Sequence, residues 1–155
     1  MTVWRPRPTI RVIAIGLHWR DGRLLAAEVN DDQGVVKGVR PLGGGVEFGE
    51  TWRDALIREF DEELNVTVTV AGRPLVLENL YEHYGEQGHE IVFAADVLFP
   101  DGAFAATEMI HFKEDNGTPC VARWFDLDDL AARSIPLFPL GLVEELRPPA
   151  SPSAR

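Results

Sequence analysis

The order of apolar and polar positions along the chain lays out its elements before any chemistry is considered. Residues 10–19 form a nearly unbroken apolar run, the pattern of a covered strand. Asp21-Gly22 then turns the chain into a second run at residues 23–29, and the two predict a hairpin. Residues 34–41 supply a third, shorter extended segment. The period then changes: Ala55, Leu56, Phe60 and Leu64 recur at helical spacing, and Thr51 followed by Asp54 is a capping pattern that starts a helix near Trp52. Strand character returns over residues 65–80, with β-branched alternation from Val66 to Val70, and again over 90–99 and 119–125. Residues 79–88 and 101–118 read as loops. Short helices are expected at 126–133, where Asp126 offers a cap, and at 139–146. Strands with helices on both sides predict an α/β fold, an α/β/α sandwich with a mixed central sheet. A single domain over residues 1–147 accounts for all of this, and the proline-rich residues 148–155 are expected to be a disordered tail.

The helix at residues 52–64 carries more than its apolar stripe. Glu59, Glu62 and Glu63 stand at i, i+3 and i+4, so three carboxylates project from one face within a single turn. Like charges at that spacing repel, and the arrangement makes best sense around a divalent cation; carboxylate oxygens favour Mg²⁺, with Mn²⁺ as a second choice. Arg58 and Glu62 form an i,i+4 pair able to orient one ligand carboxylate, and Glu50 sits at the positive end of the helix. Just upstream, Gly43, Gly44 and Gly45 let backbone approach a ligand closely. Asp54 and Asp61 have simpler roles, a cap and a residue pointing off the acidic face.

Composition narrows the partners. The formal charge of −10 argues against a nucleic-acid polymer, which wants a basic surface, while small phosphorylated ligands can be met by metal ions and a few local cations. Cys120 is alone, so neither a disulfide framework nor a thiolate metal site forms within the chain, and a cytoplasmic, reducing compartment is expected. No apolar run is long enough for a membrane span. His18, His83, His89 and His111 lack zinc-site spacing, and His89-Glu90 is read as the opening of a strand. The four tryptophans are read as core. Arg5, Arg7 and Arg11 are read as a solvated basic arm, the sharper alternative being an arm that contacts substrate phosphate or the partner of a homodimer.

From Gly44 to Val66 the chain resembles the signature of the Nudix hydrolases: Gly44, five residues, Glu50, seven residues, then Arg58-Glu59-Phe60, any residue, and Glu62-Glu63, with Val66 closing the pattern. Asn65 replaces the family's usual glycine, and Asn is the next most tolerant residue of a left-handed helix stop. The resemblance implies the α/β/α sandwich. It also implies a Mg²⁺-dependent hydrolase that cleaves a phosphoanhydride in a nucleoside diphosphate linked to another moiety, such as ADP-ribose, a dNTP, a nucleotide sugar or a dinucleoside polyphosphate. Glu59, Glu62 and Glu63 would hold the metal with the backbone carbonyl of Gly43, Glu50 and Arg58 would complete the catalytic set, and Gly44 and Gly45 would meet the diphosphate. For the general base Glu59 comes first, with Glu108, Glu114 and Asp115 as further candidates and Glu114 preferred among them. Tyr84 falls near where diadenosine polyphosphate hydrolases carry a base-stacking tyrosine. The competing readings are a catalytically silent nucleotide-binding module, which a broken signature would betray, and an RNA-end pyrophosphohydrolase, which would want a basic channel.

Overall fold

The computed structural model describes residues 3–147; the expected tail at 148–155 lies outside the described residues. In chain order the elements are β1 (Ile10–Leu17), β2 (Trp19–Arg20), β3 (Arg23–Asn30), β4 (Val36–Arg40), β5 (Gly43–Gly45), α1 (Trp52–Leu64), β6 (Thr69–His83), β7 (Glu86–Leu98), β8 (Met109–Lys113), β9 (Pro119–Phe125), α2 (Leu127–Ala132) and α3 (Leu142–Leu146). The strands form two sheets. One is mixed, in the order β5-β1-β7-β6, with β1 and β7 parallel; the other is antiparallel, with β3 joined to β2, β4 and β9, and β8 beyond β9.

Strand alternation sorts the core into two clusters, one on each side of the sheet layer. Ala14 of β1, Leu25 of β3 and Ala122 of β9 point toward α1, where they meet its buried stripe of Ala55, Leu56, Phe60 and Leu64. Their neighbours Ile13, Ile15, Leu24 and Ala26 point the other way, against Leu127 and Leu130 of α2 and Leu142 of α3. Helices therefore cover both faces, as the sandwich expectation requires. Gly16 is needed for the first packing: a Cβ there would strike the Phe60 ring, so only glycine lets α1 sit this close to β1.

Helix α1 starts and stops where the sequence says. The Thr51 hydroxyl accepts from the Asp54 amide at 3.1 Å, and Asn65 adopts the left-handed conformation (φ 55°) with its N–H donating to the Asp61 carbonyl. Asn in the glycine position thus closes the helix in the conformation a glycine would adopt.

Five expectations need correction. Residues 79–83 are not loop but the end of β6, which pairs with β7 up to His83–Glu86; only Tyr84 and Gly85, both at positive φ, make the turn. The pattern hid this because Leu75, Leu77, Asn79 and Tyr81 face one side while Val76, Glu78 and Leu80 face the other, so neither face is purely apolar. Consequently His89-Glu90 lies inside β7 rather than at its start. Residues 101–118 contain β8, an edge strand with only Ile110 buried, too polar to stand out. The basic arm is also not simply solvated: Arg11 lies within β1, and Arg5 makes a two-pronged ion pair with Asp32. Of the tryptophans, Trp124 is core, whereas Trp4 and Trp19 are exposed.

Candidate active site

Two elements converge on the glycine strand. β5 carries no side chains, so α1 and β1 can press onto it from either side. Toward α1, a Cβ on Gly44 would fall on the Glu59 carboxylate, 2.7 Å from Oε2 and nearer still to Oε1; on the opposite side, a Cβ on Gly45 would touch only the Arg11 guanidinium, at 3.4 Å. Glu59 is thereby buried, 4% exposed, with its carboxylate against bare backbone.

Arg58 ties this arrangement together. Its Nε and Nη2 donate to the two carboxylate oxygens of Glu50 at 2.8 and 2.9 Å, Nη1 donates to Glu59 at 3.0 Å and to Glu62 at 3.3 Å, and Nη2 also donates to the Gly45 carbonyl at 3.0 Å. A fork of this geometry is available only to arginine. With Arg58 and the Glu47 amide as donors, Glu50 is held down to about 2, so it stays a carboxylate across the physiological range. Glu50 thus orients Arg58, and Arg58 orients Glu59 and Glu62.

The Glu59 carboxyl is pushed above its ordinary range by burial, against the pull of Arg58. Glu63 is pushed up to about 8, first by burial and then by the charges of Glu59, Glu114 and Asp115, with Arg40 opposing. The turn between β8 and β9, closed by the Glu114 amide donating to the Thr118 carbonyl at 3.0 Å, brings those last two acids to the helix. One oxygen each from Glu59, Glu62 and Asp115 lies within 4.8 Å of the others. Glu63 and Gly43 instead line a cavity of about 30 Å³ together with Arg40 and Glu114, room for one water. This all-oxygen set fits a hard divalent cation.

The signature residues Gly43, Gly44, Gly45, Glu50, Arg58, Glu59, Glu62 and Glu63 are therefore brought together, and Glu114 and Asp115 join them. Glu108 does not: it is exposed and pairs with Arg20 at 3.3 Å. Tyr84 stands apart at the β6–β7 turn, its hydroxyl accepting from the Asp32 amide at 2.9 Å and its ring under the Arg5 guanidinium. Sequence reasoning passed over Arg40, and took Arg11 only as part of the basic arm, with a contact to substrate phosphate as the sharper alternative. Among the described residues neither makes an ion pair or a side-chain hydrogen bond, so two free cations flank a site otherwise rich in carboxylates. Arg11 had left a signal, as the one charge inside the first apolar run.

The NUDIX domain family model matches residues 7–146, and the chain belongs to that family. Over 55 residues it is 49% identical to a protein named nucleoside triphosphatase NudI from Escherichia fergusonii; the match takes in 35% of this chain and spans only 39% of that curated relative. The E. coli ORF135 protein has a similar structure, with a TM-score of 0.53 at 23% identity over 92% of this chain and 95% of that one. A NUDIX hydrolase from Nitrosomonas europaea is likewise similar, with a TM-score of 0.54 at 20% identity over 81% and 78% of the two chains. These structural likenesses concern the fold. No helix among the described residues is long and apolar enough to cross a membrane.

Proposed function

We propose that the protein is a divalent-metal-dependent pyrophosphohydrolase that cleaves a phosphoanhydride in a nucleoside diphosphate linked to another moiety. The observation that carries the reading is the convergence of Glu59, Glu62 and Asp115 within 4.8 Å beside a strand of three glycines. Glu59, Glu62, Glu63 and Asp115, with the Gly43 carbonyl, are the groups that would hold Mg²⁺ or Mn²⁺. Bound there, the cation supplies positive charge to phosphate oxygens and lowers the pKa of a bound water.

The chain's own groups do the rest. Arg58, fixed by Glu50, keeps Glu59 and Glu62 in position, a supporting role usually worth about 10–100-fold in metal affinity or activity. Gly44 and Gly45 let the diphosphate lie against backbone, and the unpaired Arg11 and Arg40 are free to meet its oxygens. A water in the small cavity would lie against Glu63 and Glu114, and Glu114, which stands outside the metal-holding set, can take its proton. The segments around this centre are left to recognise what lies on each side of the diphosphate.

The experiment is a hydrolysis screen over ADP-ribose, dinucleoside polyphosphates, nucleotide sugars and dNTPs, run with Mg²⁺, with excess chelator, and after the ion is restored. Turnover of at least one substrate is expected, abolished by the chelator and recovered with metal, and Glu62→Gln should lower kcat by about 100-fold without loss of fold. Undiminished turnover in chelator would sink the mechanism. Failure of the whole panel with metal present would favour a binding module instead.

A further inference from the structure

Glu90 is a buried carboxylate in β7, 6% exposed, that forms no ion pair among the described residues. Its partners are neutral: Asn79 Nδ2 donates to Oε2 at 3.3 Å and the Tyr81 hydroxyl to Oε1 at 3.4 Å. Both distances are long, and a carboxylate has about four lone-pair directions, so its accepting capacity is far from used. A buried charge answered this weakly is costly unless something else meets it.

Its place in the sheet suggests what that is. Glu90 is directly opposite Arg11 on β1 and opposite Asn79 on β6, and β1 is joined to β5 with Ile13 opposite Gly45. Along one face of three neighbouring strands there thus runs a row of Arg11, Glu90 and Asn79, with Gly45 on the same face one step further along, opposite Ile13. Glu59 lies on the other face of β5, but β5 is the edge of its sheet and has no side chains, so an extended ligand can pass round it. The Tyr81 ring packs over Gly88 beside Glu90, and Trp4 stacks on Tyr81 with planes 14° apart and centroids 6.5 Å apart. The charges of Arg11 on β1 and Arg40 on β4 both act on the Tyr81 hydroxyl, against the rise caused by burial and Glu90.

We propose that Glu90 is a specificity-determining residue that reads the edge of the substrate's nucleobase, accepting from an exocyclic amino group, with Asn79 and Tyr81 holding the carboxylate and Trp4, backed by Tyr81, providing the stacking surface. The assignment rests on the pyrophosphohydrolase reading for the presence of a nucleoside. Tyr81 titrates only at about 12, raised by burial and by Glu90, so its hydroxyl remains a donor throughout the working range. Being acceptor-only, Glu90 can accept from the exocyclic N–H₂ of adenine or cytosine, and at that same position hypoxanthine and uracil present a carbonyl oxygen that faces the carboxylate as a second acceptor.

The test is equilibrium binding of nucleoside monophosphates to the full chain without metal, comparing CMP with UMP and AMP with IMP. The wild type is expected to prefer the amino member of each pair by about tenfold or more, the discrimination of one well-made base-edge contact. Glu90→Gln, which can donate as well as accept, should bring both ratios close to one while leaving the thermal midpoint within a few degrees. Equal binding of the two members by the wild type overturns the proposal with no variant required, and so does an unchanged ratio in a folded Glu90→Gln. Hydrolysis measured in parallel separates the two readings: base preference without turnover condemns only the pyrophosphohydrolase, whereas turnover without base preference condemns only Glu90.

Discussion

Gly44→Ala isolates the contact that positions Glu59. Gly44 is not in the left-handed region, so alanine meets no backbone objection, and the whole effect of the substitution lies in where its methyl group goes. The added carbon would stand 2.7 Å from Glu59 Oε2 and closer to Oε1, whereas ordinary contact begins at 3.4 Å. The carboxylate must therefore retreat by roughly 0.7 Å or more, in a site too tightly packed to absorb it. Overpacking of this kind costs about 1–3 kcal/mol, and the smaller conformational freedom of the unfolded alanine chain returns about 0.4–1 kcal/mol, so the net loss of stability is modest. Catalysis is less forgiving: a displacement near 1 Å costs on the order of 100-fold. Gly45→Ala is the matched control, because its methyl meets only the flexible tip of Arg11 at 3.4 Å. Steady-state kinetics and thermal unfolding of both variants decide the matter. Gly44→Ala should lose about 100-fold in kcat while still folding, whereas Gly45→Ala, whose methyl faces the diphosphate path rather than Glu59, should keep kcat within a few-fold of wild type and raise KM instead. Equal kcat in the two variants would refute the view that the bare backbone at Gly44 exists to seat Glu59.

Two further outcomes follow from the charges of the site. Arg58→Lys keeps the positive charge but cannot span Glu50, Glu59, Glu62 and the Gly45 carbonyl at once, so kcat should fall about 10–100-fold, as for supporting partners of metal ligands; wild-type rates would show that charge alone suffices. In the metal-free protein, Glu63 binds its proton more tightly folded (about 8) than unfolded, where the ordinary value is 4.5. Its stabilising contribution is complete below the unfolded pKa and is lost as pH rises toward 8, an effect on the order of a few kcal/mol. His18 and His83, both held below the ordinary histidine range chiefly by burial, act in the opposite sense. The readout is therefore the difference between wild type and Glu63→Gln in chemical denaturation at pH 5 and pH 8, and identical pH slopes for the two proteins would refute the raised Glu63 carboxyl.

How much of this was legible in the sequence depended on whether a feature was local. The capping of α1 by Thr51 and Asn65, the three-carboxylate turn and the glycine run are all set within a few residues of one another, and each can be read from spacing and side-chain chemistry. β8 and the end of β6 could not be read that way, because their strand character comes from pairing: Asn79, Tyr81 and Met109 are in strands because Glu90, Gly88 and Arg123 lie opposite them. The same distinction holds within the site. Arg58 and Glu62 are one helical turn apart and their contact follows from that alone, but Asp115 reaches Glu59 and Glu62 only because the β8–β9 turn folds back over the helix, more than fifty residues downstream. Arg11 and Glu90 are separated by nearly eighty residues and become neighbours through the parallel pairing of β1 with β7. Tyr84 was singled out by its distance from the signature along the chain, yet the pleat that turns Tyr81 toward Glu90 and the turn that hands Tyr84 to Arg5 and Asp32 are properties of the β6–β7 hairpin. Residues that act through the metal-facing helix are thus written locally. Those suited to select what surrounds the diphosphate are assembled by sheet register, and for that reason two chains can share the signature while differing in what they recognise beside it.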